Sequence, residues 1–174
     1  MRAVTLSLAG LASLGCRGPL DAVRPGEIYV EWRGSQRGRF LGPATTTHCA
    51  ETGLVEVIAA QGDTGVGLVL YPADSGRIAA TSYPVVEGRT MIEPRPGVGL
   101  ALRWFDVMAM HAFDGLSGSL EISAVTPAGI TGVIDARLQS VDSPDTLVLR
   151  GHFREVPVRR APPGCKGIHR RRLI

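Results

Sequence analysis

Four side chains of chemically active type stand apart in this sequence: His48, Asp106, His111 and His152. Asp106 and His111 lie inside the apolar run Leu102–Ala112, where a polar group that is buried must be paired. Such a pair is either a satisfied core contact or an acid–base couple. His48 stands beside Cys49 and Glu51, the one compact group of ligand-type residues, and reads as a polar loop next to a disulfide. An enzyme would need two of the four within hydrogen-bond reach in one concave pocket.

The usual motifs of catalysis are missing. Gly115-Leu116-Ser117-Gly118-Ser119 lacks the closing Gly of a hydrolase nucleophile turn and leads into a strand. The four histidines are scattered, with no H-x-H or H-E-x-x-H, so no metal centre is expected. Gly62–Gly67 ends in Leu68 and Val69 where a phosphate loop needs Lys and a hydroxyl, and reads as a hairpin turn. Nine aromatic residues, with Trp32 and Trp104 in patterns that point them inward, leave little for a sugar platform. The expectation is a non-catalytic protein with no cofactor and no metal.

The elements that would position these side chains are strands. Glu27–Arg33 alternates Ile28, Val30 and Trp32 against Tyr29, Glu31 and Arg33, the period of a half-buried strand. Residues 54–60, 66–71, 77–85, 98–113, 119–125, 130–139 and 146–156 continue the style. Turn clusters lie between them: 61–65, 72–76, 87–89, 94–97, Asp114-Gly115, 126–129 and 142–145. Turn chemistry every eight to fifteen residues predicts an all-β chain, an antiparallel β-sandwich or partly open barrel of about eight strands. Within 98–113 a strand or bent pair of strands is preferred to a three-turn helix, because Gly97 and Gly99 open a helix badly. In the last three segments Leu120 and Ile122, then Ile130, Gly132, Ile134, Ala136 and Leu138, then Leu147, Leu149, Gly151 and Phe153 fall on one face. They predict a meander with a shared apolar side. This Gly-punctuated pattern is similar to small exported bacterial β-domains of uncharacterised function.

Residues 1–16, MRAVTLSLAGLASLGC, carry one cation at Arg2, no acid, and small residues toward the end, the layout of a secretory leader. The segment resembles bacterial lipoprotein leaders, with Leu14, Gly15 and Cys16 in the closing positions and Ser13 where that family usually has Leu. The resemblance implies that Cys16 becomes the first mature residue and carries acyl chains. The Gly- and Pro-rich stretch 16–26 then reads as a tether. Cys49 and Cys165 remain, an even pair, and a disulfide is their natural state in an exported protein.

The net charge of +3 conceals an asymmetry, since six of the 19 Lys and Arg follow Val158 with no acid among them. The body is therefore mildly acidic and offers no basic face for nucleic acid. The expected organisation is a leader at 1–15, a tether at 16–26, a β-domain at 27–158 and a basic tail at 159–174. The expected role is a lipid-anchored or periplasmic binding or structural module of the cell envelope, monomeric or weakly associating, with secretion as the alternative location. The partners expected are the membrane, through Cys16, and an unidentified envelope protein or small ligand. Two rival readings are an envelope enzyme using His48, Asp106, His111 and His152, and an apolar-ligand carrier with a cavity lined by Leu102, Met108, Met110 and Ile122.

Overall fold

The computed structural model describes residues 23–73, 77–87, 96–163 and 165. The expected leader, Cys16, most of the tether and residues 166–174 of the tail lie outside the described residues. Alternating β-branched and aliphatic positions form strands β1 (Glu27–Gly34), β2 (Gly38–His48), β3 (Val55–Gln61), β4 (Thr64–Tyr71) and β5 (Ser82–Pro84). They continue as β6 (Gly97–Phe105), β7 (Met110–Thr126), β8 (Gly129–Ser140), β9 (Thr146–Val156) and β10 (Val158–Arg160).

Eight of these strands close on themselves. Each of β1, β2, β3, β4, β6, β7, β8 and β9 pairs antiparallel with the next, and β9 returns to pair with β1. The protein is an up-and-down β-barrel, an arrangement without free sheet edges. Two short strands supplement it. β5 pairs with β7 at Ser119–Glu121, and β10 runs parallel to β2 at Thr46–His48.

Eight strands enclose a space that side chains can fill. Ile28, Val30, Phe40, Val55, Val57, Leu68, Leu100, Leu102, Leu120, Ile134, Leu149 and Phe153 are buried in one continuous core. The expected face of the C-terminal meander turns inward as read, since Leu120, Ile134 and Leu149 each lie at about 0–1% exposure. Burying that aliphatic set supplies the main stabilising force, at roughly 1.5–3 kcal/mol per large side chain.

Three features depart from the sequence reading. Gly38, Gly42, Pro43 and the Thr45–Thr47 run look like loop, yet they form β2, whose inward positions Phe40, Ala44 and Thr46 are buried. Residues 77–85 contribute only the three-residue β5. Asp114-Gly115 is no turn. It lies inside β7, which runs unbroken through a β-bulge at Leu116, where two steps on β7 face one on β8. The bulge reverses which parity points inward, so that Phe113 and Leu120 both enter the core. A second register shift on β7 lies between Ile122 and Ala124, and a third irregularity sits on β9, where Glu155 adopts φ 46° and both Phe153 and Val156 face in.

The barrel has two distinct ends. The β1–β2, β3–β4, β6–β7 and β8–β9 turns gather at a hairpin end. The chain enters the other, clasp end, where Val23 is buried and the Gly26 N–H donates to the Arg154 carbonyl at 2.7 Å. The barrel thus takes in the last residues of the expected tether, and β10 takes in Arg159 and Arg160 of the expected tail. Cys49, in the β2–β3 turn, is bonded to Cys165 there, the pair expected of the two cysteines outside the leader-like segment.

Candidate functional site at the hairpin end

Of the four polar candidates the fold brings two together. Asp106 follows the last residue of β6 and His111 is the second residue of β7, so the hairpin between them sets their separation. Asp106 closes this hairpin with its own side chain. Its Oδ1 accepts the N–H groups of Met108 at 2.9 Å and Ala109 at 2.8 Å, and its N–H donates to the Ala109 carbonyl at 3.0 Å. An Asp at the start of a tight turn does this readily, since its short carboxylate reaches the backbone two and three residues on. The other oxygen, Oδ2, lies 2.6 Å from His111 Nε2.

His111 is held from three sides. Its Nδ1 lies 3.4 Å from the Gln36 side-chain nitrogen, which comes from the β1–β2 hairpin. The Gln36 amide donates to Nδ1, and this places the neutral ring's proton on Nε2, facing Asp106. The imidazole also stacks on Trp104, with ring centroids 5.0 Å apart, and Trp104 in turn stacks on Phe113 and Trp32. Trp32 is able to lie flat there because β2 places Gly38 opposite it. A Cβ at Gly38 would stand 2.2 Å from the indole. The indole Nε1 of Trp32 is buried and finds no hydrogen-bond partner among the described residues.

These contacts set the electrostatics of the hairpin. The hydrogen bond from His111, followed by the Met108 and Ala109 N–H groups, lowers the Asp106 carboxyl to about 2. A carboxyl whose folded pKa lies below its unfolded value of about 3.9 adds stability that is present above that value. The contribution disappears as pH falls through the folded value. Carbon-13 titration of the Asp106 carboxyl is therefore expected to give a midpoint near 2, and Asp106→Asn is expected to accelerate amide exchange at Met108 and Ala109. A midpoint at the ordinary carboxylate value would show that the hairpin is not closed in this way.

The chemistry open to the pair follows from its geometry. A catalytic base presents one imidazole nitrogen to the nucleophile or substrate it deprotonates. Here Nδ1 of His111 meets the Gln36 amide and Nε2 meets Asp106, and the arrangement orders a loop. The two grooves described on the barrel contain neither residue. Among the described residues no group of three or more His, Cys, Asp or Glu is placed to hold a metal ion.

His48 and His152 lie elsewhere. His48 ends β2 near the clasp, where its carbonyl accepts the Ala161 N–H at 2.8 Å and its Nε2 is buried without a partner among the described residues. His152 sits on the outer wall of β9 with only 9% exposure, its ring 5.7 Å from that of Tyr29. Burial lowers its pKa, and burial together with the neighbouring Glu31 raises that of Tyr29. Shallow grooves of about 250 and 240 Å³ flank His152. The four candidates therefore occupy three separate places.

The residues proposed for a carrier cavity also part company. Leu102 and Ile122 face the core, whereas Met108 and Met110 stand on the hairpin, 91% and 47% exposed. The reading that placed both methionines inward treated residues 98–113 as evenly alternating. Its missed signal is Asp106, two residues ahead of Met108, the spacing at which an Asp side chain starts a turn. No protein-family model matches the chain, and no curated protein or solved structure matches it either.

Proposed function

We propose that the protein is an exported binding module of the bacterial cell envelope, attached to the membrane through a lipid on Cys16, and that it meets its partner with the surface of the barrel. The observation that carries this reading is the Cys49–Cys165 bridge. Such a bridge persists in oxidising compartments and is rare where thiols are kept reduced. The leader-like residues 1–16 agree with it. So does the entry of the chain at the clasp end, because a tether from Cys16 would leave the hairpin end pointing away from the membrane. The aliphatic and aromatic side chains buried in the core support a reading in which binding uses the outside of the barrel.

The test is the intact mass of the protein recovered from an envelope fraction, with and without reduction. The expected species begins at Cys16, carries added acyl mass and gains two hydrogens on reduction. An unprocessed chain with free thiols at all three cysteines would overturn export, anchoring and the bridge together.

A further inference from the structure

The β6–β7 hairpin carries the most exposed large apolar side chains among the described residues, Val107 at 99% and Met108 at 91%. Phe105 and Met110 flank them on the two legs, each about half exposed. Val141, on the neighbouring β8–β9 turn, is half exposed as well, and its N–H donates to the Ala112 carbonyl at 3.0 Å. Apolar side chains gathered in this way mark interaction surfaces.

The tip is held in shape before anything binds. Asp106 clamps the turn through the Met108 and Ala109 N–H groups and through His111, and the Phe105 N–H donates to the Asp63 carbonyl at 3.0 Å. A loop already ordered loses little freedom on docking.

The two turns that flank the tip are acidic, whereas the β1–β2 turn at the same end carries Arg37 and the β6 leg carries Arg103, both exposed. Residues 61–64, 106–109 and 141–145 carry Asp63, Asp106, Asp142 and Asp145, all exposed, and contain no Lys or Arg. We infer that the hairpin end docks a partner protein through a segment that is both basic and aliphatic. Its aliphatic side chains cover Val107 and Met108, and its Lys or Arg side chains face Asp63, Asp142 and Asp145.

The charge pattern separates this occupant from the others. An anionic bilayer that took up Val107 and Met108 would have to meet Asp63, Asp142 and Asp145 beside them. A second copy docking symmetrically would set the same aspartates against one another. The orientation of this end away from an anchoring membrane rests on the envelope reading above, whereas the charge and apolar pattern do not.

The test is to pan the oxidised protein against a displayed random peptide library, with V107D/M108D as the counter-selected variant. Both substitutions are at exposed positions and leave the core untouched, and circular dichroism confirms the fold of the variant. The expected peptides combine Lys or Arg with Leu, Ile, Val or Phe and bind the natural sequence at least about ten-fold more tightly than the variant. Their affinity is expected to fall about ten-fold between about 50 mM and 500 mM salt, and D63N/D142N/D145N is expected to remove that dependence.

Failure to enrich peptides over the variant, or enrichment of peptides without cations, overturns the inference. Two control measurements name the rivals. Flotation with phosphatidylcholine and phosphatidylglycerol vesicles that V107D/M108D abolishes would assign the tip to a membrane. A concentration-dependent dimer abolished by the same variant would assign it to a second copy. The panning uses soluble protein, so a failed export measurement leaves its outcome standing.

Discussion

Replacing Cys49 and Cys165 with serine is expected to lower the unfolding free energy by roughly 4–5 kcal/mol, because the bond joins residues 116 apart and removes a large loop-closure entropy from the unfolded chain. For a chain of this length the melting temperature should fall on the order of 10 °C. The barrel itself should survive, since its closure is made by β1 pairing with β2 from Glu27↔Pro43 to Trp32↔Gly38 and with β9 along its whole length. What should come loose is β10. It is exposed at all three residues and is held by three parallel pairings with β2, the Ala161 N–H to His48 carbonyl bond and the disulfide beyond. Hydrogen exchange in the double serine variant should therefore become nearly unprotected at residues 158–161, while β1–β9 stay protected and lose only what the drop in global unfolding free energy removes. An unchanged unfolding free energy would show that the bridge contributes nothing. Loss of protection throughout would show that the clasp, rather than the ring of strands, holds the barrel.

Phe153→Ala should cost about 3–5 kcal/mol, the range for emptying a buried aromatic site. Phe153 is fully buried, and its ring fills the space left by Gly132 on β8, where an added Cβ would stand 2.8 Å from Phe153 Cζ. Val133, the next residue along β8 from Gly132, points outward and is 47% exposed. Val133→Ala should change stability by less than about 0.5 kcal/mol. Denaturant melts of the two variants separate inward from outward positions directly, and similar losses from both would contradict the register of β8.

The strand segments after residue 119 were legible because each keeps alternation over most of its length, with irregularities only near the ends at Ser123, Thr131 and Glu155, and a slip of one residue would expose a whole aliphatic row. β2 was illegible for the opposite reason. Its inward positions include Gly42 and Ala44, whose small side chains mute the alternation, and Pro43 reads as a strand breaker although its side chain simply faces solvent. The bulge at Leu116 hid β7 in another way. Even residues face inward after it and odd ones before it, so one strand of 17 residues reads as two with a turn between.

The candidate site was half legible. The residue types were visible, but Asp106 is exposed, so the burial that the sequence suggested is not what pairs it. That the partner is His111, with Gln36 on the far nitrogen, depends on a hairpin whose turn is closed by Asp106 itself and on a second hairpin from a distant part of the chain. By itself the sequence determined the class of element and the inward set of the C-terminal strands, since alternation is a local property; the pairing of Cys49 with Cys165, out of three cysteines, followed only once Cys16 was assigned to a leader. Closure of the barrel, separation of the four polar candidates into three places and exposure of Val107 and Met108 were decided by tertiary structure. Each depends on strand register and on where a bulge or turn reverses the direction of the side chains, and one reversed residue moves every later side chain to the other face.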